Sequence, residues 1–448
     1  MNMNMSLDTK YKIVVGLFTL IIFTIWSGSI LPSSISYTVT MIVGAFLFFW
    51  VIILLRNEEN LLSRKKLRLP IFTCVELVAI CFLIASIRFH MLGYCAIFCA
   101  LGIIFPVFFF CVNISGENKH FFLQALWDGI LVSYAVFLFL SFLFTPITGD
   151  VYSAFLKNPN TLGSYLIVVF IATLYKLNYG ICYGKRAYNI RYSLVLGSVI
   201  LFSIVSLSRT TILPMVLIII IDILVIIACK KSIEIGLKQF VCIIMLIIMG
   251  VIGVFFLHGK VSYLMQTKTV WGDFSGPIVK SLHLNESEEN EVHSKQLLAN
   301  FQRKSMKGLD GSERFTSGRV EIWKAYKKEL NWSGHATEER HIVTEYYDYK
   351  TNAHNTYLQI AYSTGIQGGV VFLALMLLIA AYSLASLISI FKLRNYDIEI
   401  LSVLNIIISF GLNSLVAVGY SPFTAPIVFV FWVVSIFFIR KDGSNCIK

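Results

Sequence analysis

Arg209, Arg314, Arg319 and His354 are the side chains in this sequence best suited to chemistry on an anionic substrate. A guanidinium keeps its proton at physiological pH and grips phosphate oxygens through paired N–H groups. An imidazole titrates near pH 6.5, about where a group must sit to take a proton from a hydroxyl. Arg319 and Trp323 lie four residues apart in a stretch, 317–330, whose apolar spacing predicts a helix, so they share one face. Lys324, Lys327 and Lys328 make that helix cationic. His354, Asn355 and Thr356 stand at the entrance to an apolar run. Asn158-Pro159-Asn160-Thr161 and Ser206-Leu207-Ser208-Arg209-Thr210-Thr211 likewise open apolar runs. Helix N-termini expose N–H groups and partial positive charge, so three such starts on one face suit a phosphate. The chemistry implied acts on an anionic, lipid-linked substrate at a membrane boundary.

The elements that must position these groups are membrane helices. Of the 448 residues, 57% are hydrophobic and 14% charged; soluble domains carry about 25% charged residues. Mean hydropathy is +0.76. Apolar runs fall near residues 13–31, 38–55, 70–88, 91–112, 122–146, 161–175, 192–207, 211–228, 239–257, 362–391, 398–419 and 422–439. Each has a length suited to crossing a bilayer as a helix. The fold class is an all-α polytopic membrane protein with about twelve spans. The first run lacks a clear cleavage site before Leu31 and reads as a span, not a signal peptide.

Charge alternates between connections. Arg56, Arg64, Lys65, Lys66 and Arg68 follow the second run; Lys176, Lys185, Arg186 and Arg191 the sixth; Lys230, Lys231 and Lys238 the eighth. Lys392 and Arg394 follow the tenth, and Arg440 and Lys441 the last, whereas the intervening short connections carry only Arg88, Lys157 and Arg209. The positive-inside rule then places both termini in the cytoplasm and the long hydrophilic loop, 258–358, outside it. The chain divides into N-terminal helices (1–257), this loop (258–358) and C-terminal helices (359–448). Topology accounts for the net charge of +12 better than nucleic acid does. The nine cysteines avoid the loop, which leaves it no disulfide framework or thiolate metal site. No DxD pair and no HExxH is present, so no metal and no other cofactor is expected.

Each candidate has a plainer reading. Arg209 sits in a hairpin too short to reach far into solvent and could snorkel to lipid headgroups; ionisable residues at membrane depth are nonetheless functional candidates. The Arg319–Trp323 helix could lie on the bilayer with Trp323 as an interfacial anchor. A lone histidine such as His354 is commonly a hydrogen-bonded structural residue, and His335 and His341 are weaker candidates still. Glu76 and Asp222 fall in the other halves of their spans and are expected to pair with neighbouring helices.

Taken together, NPNTLG (Asn158–Gly163), SLSRTT (Ser206–Thr211), SGRVEIW (Ser317–Trp323) and HNTYLQIAYSTGIQGGVVFL (His354–Leu373) resemble the bacterial O-antigen ligase and O-antigen polymerase superfamily. The large loop before the last three spans is similar too, while the first 150 residues match only in being apolar helices. The resemblance implies a metal-independent, inverting glycosyltransferase with a C-type membrane fold in the bacterial cytoplasmic membrane. Its donor would be a glycan on undecaprenyl pyrophosphate, used at the outer face. Carried onto this sequence, Arg209 and Arg319 would hold the pyrophosphate and His354 would assist the acceptor hydroxyl. Arg314, Trp323, Asn158, Asn160, Ser208, Thr210 and Asn355 would bind substrate. Where the family has a Gly-x-Gly turn after its Trp helix, this chain reads Trp332-Ser333-Gly334-His335-Ala336, and His335 is given no role.

A repeat-unit polymerase for O-antigen or capsule is the leading expectation, with an acceptor glycan, the bilayer and a chain-length regulator protein as partners. A ligase moving finished glycan to lipid A core or another acceptor shares the same motifs. A transporter or flippase for lipid-linked sugars suits the span number, but transporters place binding groups near the bilayer midplane, which is almost uncharged here.

Overall fold

The computed structural model describes residues 6–28, 33–56, 67–112, 114, 116–145, 152–156, 159–229, 237–267, 319–337, 339–343, 348–394 and 396–440. The chain runs through α1 (Leu7–Gly28), α2 (Ser33–Leu55), α3 (Leu69–Phe89), α4 (Leu92–Cys111), α5 (Glu117–Phe144) and α6 (Pro159–Cys182). It continues through α7 (Arg186–Val205), α8 (Arg209–Ala228) and α9 (Leu237–Thr267). A compact insert follows, made of α10 (Arg319–Lys328), the antiparallel hairpin β1 (Arg340–Val343) and β2 (Asp348–Thr351), and α11 (Thr356–Thr364). Three helices close the chain: α12 (Ile366–Leu393), α13 (Ile398–Ser414) and α14 (Pro426–Ile439).

Among the described residues, 10 helices are long and apolar enough to span a membrane, with α13 and α14 as shorter apolar helices. Those elements coincide with the apolar runs of the sequence. The exception is the tenth run, expected over 362–391. It breaks at Gly365, and His354-Asn355-Thr356 open the separate helix α11 instead of the span α12. The hairpin is a second departure, because its strands are too short to stand out against the polar loop.

Local chemistry explains the irregular places. Within α4, residues 100–104 form a π-turn just before Pro106. Proline has no N–H to give the preceding turn, and a wider turn re-pairs the freed carbonyl. Helices α7 and α9 cross where Gly197 faces Gly250, and a Cβ on Gly197 would fall 2.4 Å from the Ile247 carbonyl. In a bilayer such bare backbones are what let helices pack tightly. Helix α14 is apolar all round, and it is buried along its whole length at the centre of the bundle. Phe48, Phe105, Phe423, Phe429 and Trp432 pack there ring against ring. An all-apolar helix is stable only when other helices or lipid surround it.

Polar ties join the helices at depth. Asp222 on α8 accepts the side-chain amides of Asn178 on α6 (3.2 Å) and Asn405 on α13 (2.9 Å), the inter-helix pairing expected of it. Asp128 on α5 pairs with Lys176 on α6 at 2.7 Å and accepts the Tyr11 hydroxyl of α1. Lys119 bridges Asp397 (3.0 Å) and Glu399 (3.1 Å). These ties share one end of the bundle with Arg68, which bonds the Phe438 carbonyl, and Arg440, which bonds the Val112 carbonyl. Arg68, Lys176 and Arg440, from the Lys- and Arg-rich connections of the sequence, thus gather at one end. At the opposite end lie the starts of α6 and α8, the insert and the start of α12.

Candidate functional site

Helices α10 and α11 lie side by side and run in the same direction. Arg319, at the start of α10, acts electrostatically on His354, just before α11. Midway, the Tyr326 hydroxyl donates to the Thr351 carbonyl at 2.6 Å, and its ring meets Tyr362 edge-on, 4.7 Å between centroids. Past the end of α10, Ile366 N–H donates to the Asn331 carbonyl at 3.0 Å. Both helix N-termini, with their partial positive charge, therefore come to the end that holds Arg319 and His354.

The far end of the pair is locked by a turn. Asn331 Oδ1 accepts the Ser333 and Gly334 N–H groups at 2.8 and 2.7 Å. The His335 ring stacks flat on Tyr362 (3.9 Å, 6°) with Nδ1 3.0 Å from the Tyr362 carbonyl. Gln367 Nε2 donates to the Trp332 carbonyl at 2.9 Å. His335 thus clasps the insert onto α11, a structural position that suits its lack of an assigned role.

His354 has φ +45°, in the left-handed region that non-glycine residues seldom occupy. Two contacts hold it there: its N–H donates to Asn352 Oδ1 at 3.0 Å, and its Nε2 lies 3.0 Å from Thr351 Oγ1. The Thr351 hydroxyl also reaches the Asn352 carbonyl at 3.3 Å. Burial, and then the charge of Arg319, push the imidazole pKa down to about 4. His354 is therefore neutral at physiological pH and able to accept a proton. Asn355 caps α11, its Oδ1 accepting Leu358 N–H at 2.9 Å while its Nδ2 donates to the Leu415 carbonyl at 3.1 Å. Thr356 Oγ1 donates to the Ala417 carbonyl at 2.9 Å, so the start of α11 is pinned to the turn between α13 and α14. Trp323 Nε1 is a buried donor with no hydrogen-bond partner.

The second group forms where the hairpin between α7 and α8 meets the start of α6. Ser208 Oγ donates to Asn160 Oδ1 at 3.2 Å and lies 2.9 Å from Thr210 Oγ1, with Arg209 between them as the first residue of α8. Leu207 takes φ +50° to turn the chain, and Ser206 Oγ donates to the Ser203 carbonyl at 2.9 Å. The Cys229 thiol at the far end of α8 approaches the Ile390 carbonyl near the far end of α12. The starts of α8 and α12 therefore share the opposite end, and both groups stand on one face of the bundle.

Residues 192–373 match the family model described as O-antigen ligase. Over these residues the chain is similar to the O-antigen ligase family. No curated protein and no solved structure matches the chain. The matched segment runs from within α7 to the first turns of α12, and so takes in Arg209, the insert and His354. That similarity, with the apolar helices, supports a multi-pass membrane enzyme of polysaccharide biosynthesis that transfers glycosyl groups, of the polymerase or ligase type, and suggests lipid-linked glycans as the substrate class.

Within this matched segment, the fold brings Arg319 to His354 and gathers Ser208, Arg209 and Thr210, with Asn160 joining them from α6. Asn158 and Arg314 lie outside the described residues, as does the polar stretch 283–295. Tyr326 entered the sequence reading only through its helical spacing, and Thr351 and Asn352 escaped it, although they orient His354. Their only signal was a threonine three residues before the histidine, too common a pattern to single out. Among the described residues no three His, Cys, Asp or Glu side chains converge as a metal site.

Proposed function

We propose that this protein is a repeat-unit polymerase, transferring an undecaprenyl-pyrophosphate-linked glycan to a hydroxyl of an acceptor glycan at the outer face of the bacterial cytoplasmic membrane. The observation that carries this reading is the pairing of Arg319 with a neutral His354 where two helix N-termini meet. The acceptor oxygen attacks the anomeric carbon from the face opposite the pyrophosphate, the bond to the pyrophosphate oxygen breaks with its electron pair, and the configuration inverts. The acceptor proton passes to His354. Charge growing on the leaving pyrophosphate is met by Arg319 and Arg209, fixed donors of the kind whose loss costs about 10²–10³ in rate. Because pyrophosphate is already a good leaving group, fixed cations take the place of a metal. Arg314, Trp323 Nε1, Asn158 and the hydroxyls of Ser208 and Thr210 serve the donor, and Asn160 and Asn355 hold the chain around it.

The low basicity of His354 suits this order of events. In the free enzyme Arg319 repels a proton from the imidazole. An incoming pyrophosphate neutralises Arg319 and adds negative charge of its own, so donor binding raises the basicity of His354 when a base is required.

A second reading, transfer of finished glycan to a single acceptor, is favoured by the ligase description of the matching family model. Purified protein with a synthetic undecaprenyl-pyrophosphate oligosaccharide and added chelator separates the two. A product ladder spaced by one repeat is the polymerase outcome. A single transfer, seen only when a candidate acceptor is supplied, is the ligase outcome. No transfer to any acceptor would sink the enzyme reading and restore transport. A requirement for divalent metal would overturn the metal-independent mechanism.

A further inference from the structure

Gly163 on α6 and Thr211 on α8 approach more closely than any side chain at 163 would allow. A Cβ built on Gly163 falls 1.7 Å from Thr211 Oγ1 and 2.9 Å from Ser208 Oγ. Thr211 Oγ1 is buried without a hydrogen-bond partner, so its place is set by packing against the bare Gly163 backbone. One turn earlier on α6, Asn160 Oδ1 accepts the Ser208 hydroxyl at 3.2 Å. The first turn of α8 is therefore seated on the first turn of α6 at two points, and Arg209 is carried between them.

We propose that Gly163 is a positioning residue for Arg209, its missing side chain fixing where α8 begins and hence where the guanidinium stands. The inference rests on the proposed role of Arg209 at the donor pyrophosphate. Small residues between membrane helices also serve plain packing, and the two roles differ in what they disturb. A packing defect lowers stability and harms donor and acceptor kinetics together. A displaced Arg209 selectively harms use of the donor.

The test uses full-length protein, the undecaprenyl-pyrophosphate oligosaccharide and a glycan acceptor, with gel filtration and thermal melting of each variant. Gly163→Ala is expected to lower kcat/KM for the donor by about 10²-fold, the scale of an ångström-sized misplacement, with the acceptor KM unchanged. Thr211→Ala alone removes an unpaired hydroxyl and stays within about threefold of wild type, as expected where no hydrogen bond is lost. Because it also removes the clashing atom, the Gly163→Ala/Thr211→Ala pair recovers roughly tenfold or more, the non-additivity expected of residues in contact. Wild-type donor kinetics in Gly163→Ala, a loss that Thr211→Ala does not relieve, or an equal loss for donor and acceptor would each overturn the inference. If Gly163→Ala does not fold, Asn160→Ala decides: a donor-selective loss supports positioning and unchanged donor kinetics refute it. Arg209→Ala with wild-type donor kinetics would instead remove the proposed role of Arg209, whatever the Gly163 variants do.

Discussion

His354 carries the account at the level of single residues, and its protonation makes the sharpest forecast. Its pKa is lowered to about 4, first by burial and then by Arg319. The acidic limb of kcat/KM, which reports the free enzyme, should therefore fall near pH 4 and not near the ordinary imidazole value. The limb of kcat, which reports the donor complex, should lie higher. In Arg319→Gln the residual activity should show a kcat/KM limb moved upward but still short of about 6.5, because burial persists. A limb already near 6.5 in the wild type would contradict this. The sign for stability follows from the same shift. The unfolded chain binds the proton that the folded site resists, so His354 destabilises the fold progressively as pH falls from about 6.5 to about 4. Thr351→Val should remove the contact that orients the ring and lower kcat about fivefold to tenfold, the scale of one hydrogen bond. Thr351→Ser should restore most of that loss. Equal activity in both variants would leave Thr351 without an orienting role. Arg209, Arg319 and His354 were legible in the sequence by chemical type. Thr351 and Asn352 were not, because their value lies in where a short hairpin places them beside His354.

At the scale of elements, the decisive feature is the break at Gly365, which separates α11 from α12. A continuous apolar run conceals it, since hydropathy registers length and not a single backbone angle. Gly365 has φ +93° and ψ +162°, a region open essentially to glycine alone. A Cβ there would meet the Trp332 carbonyl at 2.5 Å. Gly365→Ala should cost about 1–3 kcal/mol, read as a lowered melting temperature, and should also loosen the Asn331 and His335 clasp that aligns α10 with α11. Unchanged melting and activity would show that the break is not needed to hold the insert. The cationic helix, expected over 317–330, was legible because Val320, Trp323 and Tyr326 recur at helical spacing; it is observed over Arg319–Lys328. Its parallel partnership with α11 depends on long-range contacts that no local pattern records.

For the whole molecule, periodicity and length were enough to locate nearly every helix, because a bilayer demands long apolar segments whose backbone is satisfied within each helix. Charge alternation likewise anticipated that Arg68, Lys176 and Arg440 share an end. The burial of α14 at the centre was not legible, since an all-apolar helix reads the same against lipid as against protein. The proposed orientation has a direct check in a cysteine-free background. An impermeant thiol reagent applied from outside should label Ala336→Cys and spare Arg186→Cys, both of which are exposed positions. The reverse pattern would invert the topology and place the site in the cytoplasm.

The central claim is that Arg319 and His354 together transfer a glycan from a lipid pyrophosphate. It is tested most directly by the initial rate at which undecaprenyl pyrophosphate is released from the oligosaccharide donor, with saturating acceptor, in wild type, Arg319→Ala and His354→Ala. The account predicts that each substitution lowers this rate by about 10²-fold or more while the protein remains folded in detergent. Release at the wild-type rate from either folded variant would contradict it.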